Sequence, residues 1–309
     1  MANITAKDVA DLRAKTGLGM MDCKKALVEA EGDVEKAIKI LREKGLATAA
    51  KKESRIAAEG LVDIMVVGDV AAMVEVNAET DFVAKNETFK AFVKGVFATI
   101  INTKPATLEE LMASKFDGTD VTVDAALIEK IAMIGEKLSV RRFTLVEGIL
   151  TTYIHGMGST GVIVKFDTTD DVKNNPGFAA FAKNIALQIA AGNPPAYINK
   201  EDVPASVIDE ERNIILSQLK NDPKMANKPE KVLDGIVIGK LGKYYEANCL
   251  VEQAYVKEDK MSVGQYIKAS AKEFGGDIKV VEFKLFEKGE GIEKREENFA
   301  EEIAKLTNM

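Results

Sequence analysis

Apolar residues near the start of the chain come in three bursts at helical spacing. These are Val9 and Leu12, then Met20, Cys23, Ala26, Leu27 and Ala30, then Val34, Ala37, Ile38 and Leu41. A three-to-four-residue recurrence predicts three short helices within residues 4–45. The polar positions punctuate them. Thr5 with Asp8 forms a capping-box pattern, Gly17-Leu18-Gly19 breaks the first helix, Asp33 caps the third and Gly45 ends it. Residues 46–59 are rich in Ala and Lys, carry no apolar stripe, and read as a helical or extended tether.

The period then changes. Residues 61–67 and 70–76 are β-type runs flanking Gly68-Asp69, a hairpin signal. Phe89, Phe92, Val93, Val96, Phe97 and Ile100 return to helical spacing, followed by a helix over 125–138 and a strand over 140–146. Strands are expected at 151–155 and 162–166, then a helix over 178–190 stopped by Asn193-Pro194-Pro195. Ile208, Ile215, Leu216 and Leu219 mark a further helix, broken at Asn221-Asp222-Pro223, and 232–250 builds another. Two helices joined by a short polar loop predict a projecting antiparallel hairpin. A helix over 261–274, a strand over 279–285 and a charged terminal helix with Phe299, Ile303 and Leu306 on one face complete the pattern.

Two stretches repeat this order. Ahead of one helix stands Thr80-Asp81-Phe82-Val83-Ala84-Lys85-Asn86, and 89 positions on (170 − 81 = 89) Asp81 meets Asp170, Val83 meets Val172, Asn86 meets Asn175 and Phe89 meets Phe178. Phe82 falls opposite Asp171. An aspartate at that place in one half argues that the position faces away from the core, leaving the phenylalanine for a partner. Slipping the register by one residue in the strand–helix turn would instead pair Phe82 with Val172.

A chain of 309 residues has room for more than one domain, and 46% hydrophobic with 29% charged residues is the composition of an ordinary globular protein. The expected class is α+β. The units are a three-helix module (1–45), a tether (46–59), two duplicated subdomains with antiparallel sheets (60–147; 148–200 with 256–290), an inserted helical hairpin (201–255) and a C-terminal helical module (291–309). A net charge of −7 weighs against general binding to nucleic acid or an anionic membrane, which needs a positive field. No apolar run reaches the roughly 18 residues of a membrane span. The first residues show neither a signal-peptide nor a transit-peptide pattern. With Cys23 and Cys249 far apart, no disulfide framework is expected, and a cytoplasmic protein is.

The counts also narrow the chemistry. His155 is the single histidine, so a zinc site or a His-activated nucleophile lacks its usual partners; no metal, no cofactor and no catalytic group is expected. Gly156-Met157-Gly158-Ser159-Thr160-Gly161 matches the dinucleotide fingerprint in letters. That fingerprint requires a helix after it, whereas Val162-Ile163-Val164-Lys165-Phe166 predicts a strand, so the glycines read as a hairpin loop.

Several segments together carry a resemblance. Lys25-Ala26-Leu27, Gly32-Asp33-Val34 and Leu41 resemble the ubiquitin-associated three-helix fold, a docking device. Thr16-Gly17, Gly19-Met20-Met21-Asp22-Cys23-Lys24-Lys25, Arg55-Ile56-Ala57-Ala58-Glu59-Gly60, Glu75-Val76-Asn77 and the heptapeptide at 80–86 closely resemble the bacterial elongation factor Ts family. So do Ile134-Gly135-Glu136, Arg141-Arg142, Tyr153-Ile154-His155-Gly156 and Gly289-Glu290-Gly291-Ile292. The hairpin departs from the family: Gln253-Ala254-Tyr255-Val256 stands for Gln-Pro-Phe-Val, and Gly239-Lys240 for Gly-Arg.

The resemblance implies a guanine-nucleotide exchange factor for elongation factor Tu. It implies that Thr80, Asp81, Phe82 and Val83 are pushed toward the partner's magnesium and phosphate site, with His155, Ile134 and Gly135 as neighbouring contacts. Met20, Met21 and Lys24 would belong to the docking surface of the first module, and the helical hairpin is a candidate surface for a homodimer within a heterotetramer. Two other readings stand beside it: a non-catalytic adaptor built on the first module, and a small-molecule enzyme using the loop at 156–161.

Overall fold

The computed structural model describes residues 4–191, 193–225 and 228–293. The predicted terminal helix with Phe299, Ile303 and Leu306 lies outside the described residues.

The chain opens with α1 (Ala6–Thr16), α2 (Met20–Glu29) and α3 (Val34–Lys52). Both caps read from the sequence are present: the Asp8 amide donates to Thr5 in a reciprocal capping box, and the Lys36 amide donates to Asp33. Gly17 closes α1 in the left-handed conformation at φ 68°. Val9, Leu12, Cys23, Ala26, Leu27, Ala37 and Leu41 form the module's small core. Gly45 does not end α3, as expected from its sequence; the helix runs seven residues further, to Lys52. α3 continues because it packs along α7 there: a Cβ on Gly45 would sit in ordinary contact, 3.7 Å from Ala132 and 3.8 Å from Ile128.

Next come β1 (Glu59–Val67), β2 (Val70–Ala78), the one-turn α4 (Asp81–Ala84), α5 (Glu87–Thr103), α6 (Leu108–Ala113), α7 (Val123–Ile134) and β3 (Leu138–Glu147). They form an antiparallel sheet of order β1-β2-β3. The second half repeats the plan with β4 (Ile149–His155), β5 (Thr160–Thr168), α8 (Asp170–Lys173) and α9 (Phe178–Ala190). Between α9 and the rest of that half stand α10 (Ala205–Asn221) and α11 (Glu230–Asn248), the predicted hairpin, which packs on itself through Ile215, Leu219, Val237 and Leu241. A small ribbon of β6 (Ala254–Tyr255) and β7 (Glu258–Ser262), then α12 (Val263–Phe274) and β8 (Ile278–Glu287), complete the second antiparallel sheet, ordered β4-β5-β8.

Strand alternation sorts the side chains into layers. In β2, Ala72, Val74, Val76 and Ala78 face α5 and α7, whose Phe89, Phe92, Val96, Phe97 and Ile131 fill the first core. Each such ring buried contributes about 2 kcal/mol. The second sheet turns Val162, Val164 and Phe166 toward Phe178, Phe181 and Ile185 of α9 and Ile267 of α12. The other faces meet back to back: Val62, Ala71, Met73 and Val146 pack against Ile163 and Phe286. The molecule's centre is therefore helix, sheet, sheet, helix.

The glycine-rich loop finds its reason in this contact. It is a hairpin between β4 and β5, as its flanking pattern predicts. A Cβ on Gly161 would lie 2.6 Å from Val62 and 2.8 Å from Met73, so the glycine admits the close approach of the two sheets. The Val62 amide also donates to the Gly158 carbonyl at 2.8 Å, tying the loop to β1.

Other boundaries moved for local reasons. The helix expected over 125–138 stops at Ile134, because Gly135 takes φ 83°, and Leu138 already belongs to β3. Met261 lies in β7 rather than in a helix, and Ser262 caps α12. α6 and the β6–β7 ribbon had no period long enough to announce them.

Candidate protein-docking site

Thr80 ends the extended segment after β2 at φ −127° and is the N-cap of α4; Asp81, which has the chemistry of a cap, is the first helical residue. Asp81 instead accepts from Lys85 at 3.2 Å, one turn along. Val83 points inward at 5% exposure, and its counterpart Val172 is at 1%, so the two halves align with Phe82 opposite Asp171. Phe82 is 76% exposed, and the Lys85 ammonium lies 5.8 Å from its ring centroid. A large ring on a helical turn of four residues is thus presented to solvent, with Val83 as the anchor beneath it.

The turn is braced from the loop between α7 and β3. The Thr80 amide donates to Glu136 Oε2 at 2.9 Å and its hydroxyl to Oε1 at 2.7 Å. Beside it, the Lys137 amide donates to Glu79 at 2.5 Å, and the Arg55 guanidinium donates to both Glu79 oxygens at 3.2 Å. Ile134 is half-buried and Gly135 exposed at the end of α7, immediately before these contacts. Two carboxylates, each bound by charged or backbone donors, fix the segment more firmly than neutral hydrogen bonds would.

The same few residues receive the first module. Lys52 at the end of α3 donates to the Gly135 carbonyl at 2.5 Å, and Lys137 donates to the Glu53 and Arg55 carbonyls at 2.5 and 2.8 Å. α3 packs along α7, with a cleft of about 330 Å³ lined by Leu18, Ile38, Leu41 and Ile128. Met20 and Met21 stand exposed on the first turn of α2, at 53% and 62%, and Lys24 beside them is exposed too.

His155 lies on the other half, at the exposed end of β4, with Nδ1 3.0 Å from the Tyr153 hydroxyl. Its carbonyl accepts from the Gly158 and Ser159 amides, which shapes the loop. Met157 at the tip is 95% exposed. Both the Phe82 turn and this loop rest on β1: α4 packs on that strand, and the loop bonds to Val62 within it. Met20, Met21 and Lys24 do not share that support; they reach it through α3 and α7.

Glu136 and the residues of the polar seam between the halves stood in the sequence only as parts of the resemblance, with no role given to them. Glu75 is fully buried there, accepting from Arg141 at 3.0 Å, Arg142 at 2.7 Å, the Gly289 amide at 2.8 Å and Asn77 at 3.0 Å. Burial pushes its carboxyl up, yet the Gly289 amide, Asn77 and the two arginines together outweigh that and hold it below the ordinary glutamate value. Arg142 continues to Glu290 at 2.9 Å and lies 4.3 Å over the Phe286 ring. A glutamate and an asparagine two residues apart in a strand otherwise apolar were the available signal.

Among the described residues, no group of three or more His, Cys, Asp or Glu side chains could hold a metal ion, and no helix is long and apolar enough to cross a membrane. Fold and site together define a docking protein: a rigid double-sheet core that offers a braced aromatic, with a helical module beside it. The family profile described as Elongation factor TS matches residues 79–290. Curated relatives named Elongation factor Ts run alongside nearly the whole chain. That of Syntrophotalea carbinolica is 45% identical over 98% of this chain and 99% of its own. Those of Clostridium kluyveri and Clostridium perfringens are 47% and 46% identical, covering 98% of this chain and 98% and 99% of theirs. The chain belongs to the elongation factor Ts family, whose members serve translation elongation by nucleotide exchange.

Proposed function

We propose that the chain docks on GDP-bound elongation factor Tu in the cytoplasm and drives GDP off by pressing the Phe82 turn toward the partner's magnesium and phosphate site. The observation that carries this reading is the exposed Phe82 ring on a turn held at both ends, by Val83 below and Glu136 beside it. Bound GDP depends on Mg²⁺ and on backbone amides around its phosphates. A rigid aromatic driven among those groups leaves phosphate charge uncompensated, and release quickens. The chain forms and breaks no covalent bond; it exchanges one set of non-covalent contacts for another.

His155, Ile134 and Gly135 serve as flanking contacts, Asp81 as the charged neighbour of the ring, and Met20, Met21 and Lys24 as the docking surface of the helical module. Unbranched methionines suit a surface that must adapt. Coupling between nucleotide and factor is reciprocal, so GTP or GDP returning to the partner ejects the chain. The arm of α10 and α11 serves self-association, giving a homodimer within a heterotetramer; Ile214, Val232 and Ile238 on it are exposed.

Stopped-flow measurement of fluorescent GDP leaving elongation factor Tu tests the reading. The chain accelerates release by orders of magnitude, and Phe82→Ala costs about 2 kcal/mol of that effect, the scale of an interface hot spot. A folded Phe82→Ala protein that exchanges as fast as its parent sinks the proposal.

A further inference from the structure

The two halves of the duplication differ in three linked places. Their strands correspond at an interval of 90: Val70 and Thr160 both open ladders, and both ladders bulge, after Glu75 and after Lys165. The one-turn helices correspond at 89, Asp81 with Asp170. The first half therefore carries one extra residue between strand and turn: Glu79 and Thr80 where the second has Thr169 alone. The helices before the last strands align as well. α7 and α12 both end on a glycine at φ 83°, Gly135 and Gly275, each three residues before its strand. Glu136 thus stands where the second half has Gly276.

In the second half there is no space for a side chain at that position. A Cβ on Gly276 would lie 2.6 Å from Val172, so turn and helix end are in direct contact. In the first half the added residue lengthens the connection, and the Glu136 carboxylate bridges to the Thr80 amide and hydroxyl. The extra residue itself, Glu79, is held by the Lys137 amide and Arg55. The third difference is Phe82 for Asp171. Longer connection, carboxylate brace and exposed ring occur together in one copy and are all missing from the other.

We propose that Glu136 is a positioning residue for exchange: it holds the lengthened turn so that Phe82 meets the partner as a rigid wedge. This rests on the reading of Phe82 given above. Glu136 acts through Thr80 and needs no contact with the partner. A loose turn would let the ring fold aside under load, and binding would survive better than the push.

Two measurements on the full chain test this. The first uses the free protein, with no partner: hydrogen exchange at the Thr80, Lys85 and Asn86 amides, which donate to Glu136, Phe82 and Val83. Glu136→Ala raises it about tenfold, as expected where a locally anchored segment opens. Glu136→Gln, which keeps the shape and one good acceptor, gives an intermediate rise and covers the case of an alanine variant that folds poorly. The second is GDP release from elongation factor Tu at saturating factor. Glu136→Ala slows it about tenfold while the concentration for half-saturation stays within about twofold, and Phe82→Ala with Glu136→Ala is no slower than Phe82→Ala alone. Unchanged amide protection, or a double variant slower by the product of the two single effects, overturns the proposal. Parent-like exchange by Phe82→Ala would instead sink the wedge itself, while the amide measurement still reports whether Glu136 holds the turn.

Discussion

Glu75 and Arg142 face each other across the β2–β3 ladder, Arg142 Nε donating to Glu75 Oε2 at 2.7 Å, with the carboxylate wholly shielded from solvent. The pair sits where the chain leaves β8, so it fastens the last strand of one half to the middle strand of the other. Its carboxyl is held below the ordinary value of 4.5. Stability from a depressed pKa is present in full above the unfolded-chain value and is lost as pH falls through the folded one. Thermal unfolding followed by circular dichroism is thus expected to hold steady from pH 7 down to about 5 and to weaken below about 4. Glu75→Gln removes that part of the acid dependence and costs about 3 kcal/mol at neutral pH, because Arg141 loses its anion and Arg142 one of its two.

Phe82→Asp installs the residue of the second half. With 76% of the side chain exposed, little packing is lost, and stability is expected to stay within about 0.5 kcal/mol. Nucleotide exchange is expected to fall at least as far as in Phe82→Ala. Paired melting curves and release rates check it; a large loss of stability would mean the ring packs on its own fold.

Gly161→Ala tests the back-to-back contact of the sheets. The added methyl would arrive 2.6 Å from Val62 and 2.8 Å from Met73, and overpacking of that kind costs about 1–3 kcal/mol. Urea unfolding measures the loss, and adding Val62→Ala recovers part of it. Nucleotides added alone shift the melting temperature of neither protein, because the loop is a sheet spacer that leads into β5 and not into a helix.

Ile238 is 67% exposed on α11. Ile238→Lys is expected to shift sedimentation toward the monomer while leaving the melting curve and exchange rate near those of the parent. Parent-like sedimentation would remove the arm from self-association.

The duplicated core was legible because its signals are local and strong. α9 begins at Phe178 and ends at Ala190, where periodicity and the prolines after it put it. The exposure of Phe82 was legible from Asp171 once the halves were aligned. Other features depended on contacts distant in sequence. Gly45 carries an end signal but is overruled by α7 passing against it. Asp81 has the chemistry of a cap, yet Thr80 takes the place, as Thr169 does before Asp170 in the second half. Glu136 stood in the sequence only as a letter of the Ile134-Gly135-Glu136 motif; its bracing role comes from comparing Gly135 with Gly275, which requires knowing where both helices stop.

A body that pushes must also withstand the recoil. The Phe82 turn stands on β1, which belongs to the first sheet but is bonded at Val62 to the loop of the second. In the proposed mechanism, thrust delivered at the ring is therefore shared by both slabs rather than spent in bending one loop. An actuator of a few residues needs a chassis this thick, and the doubled sheet supplies it.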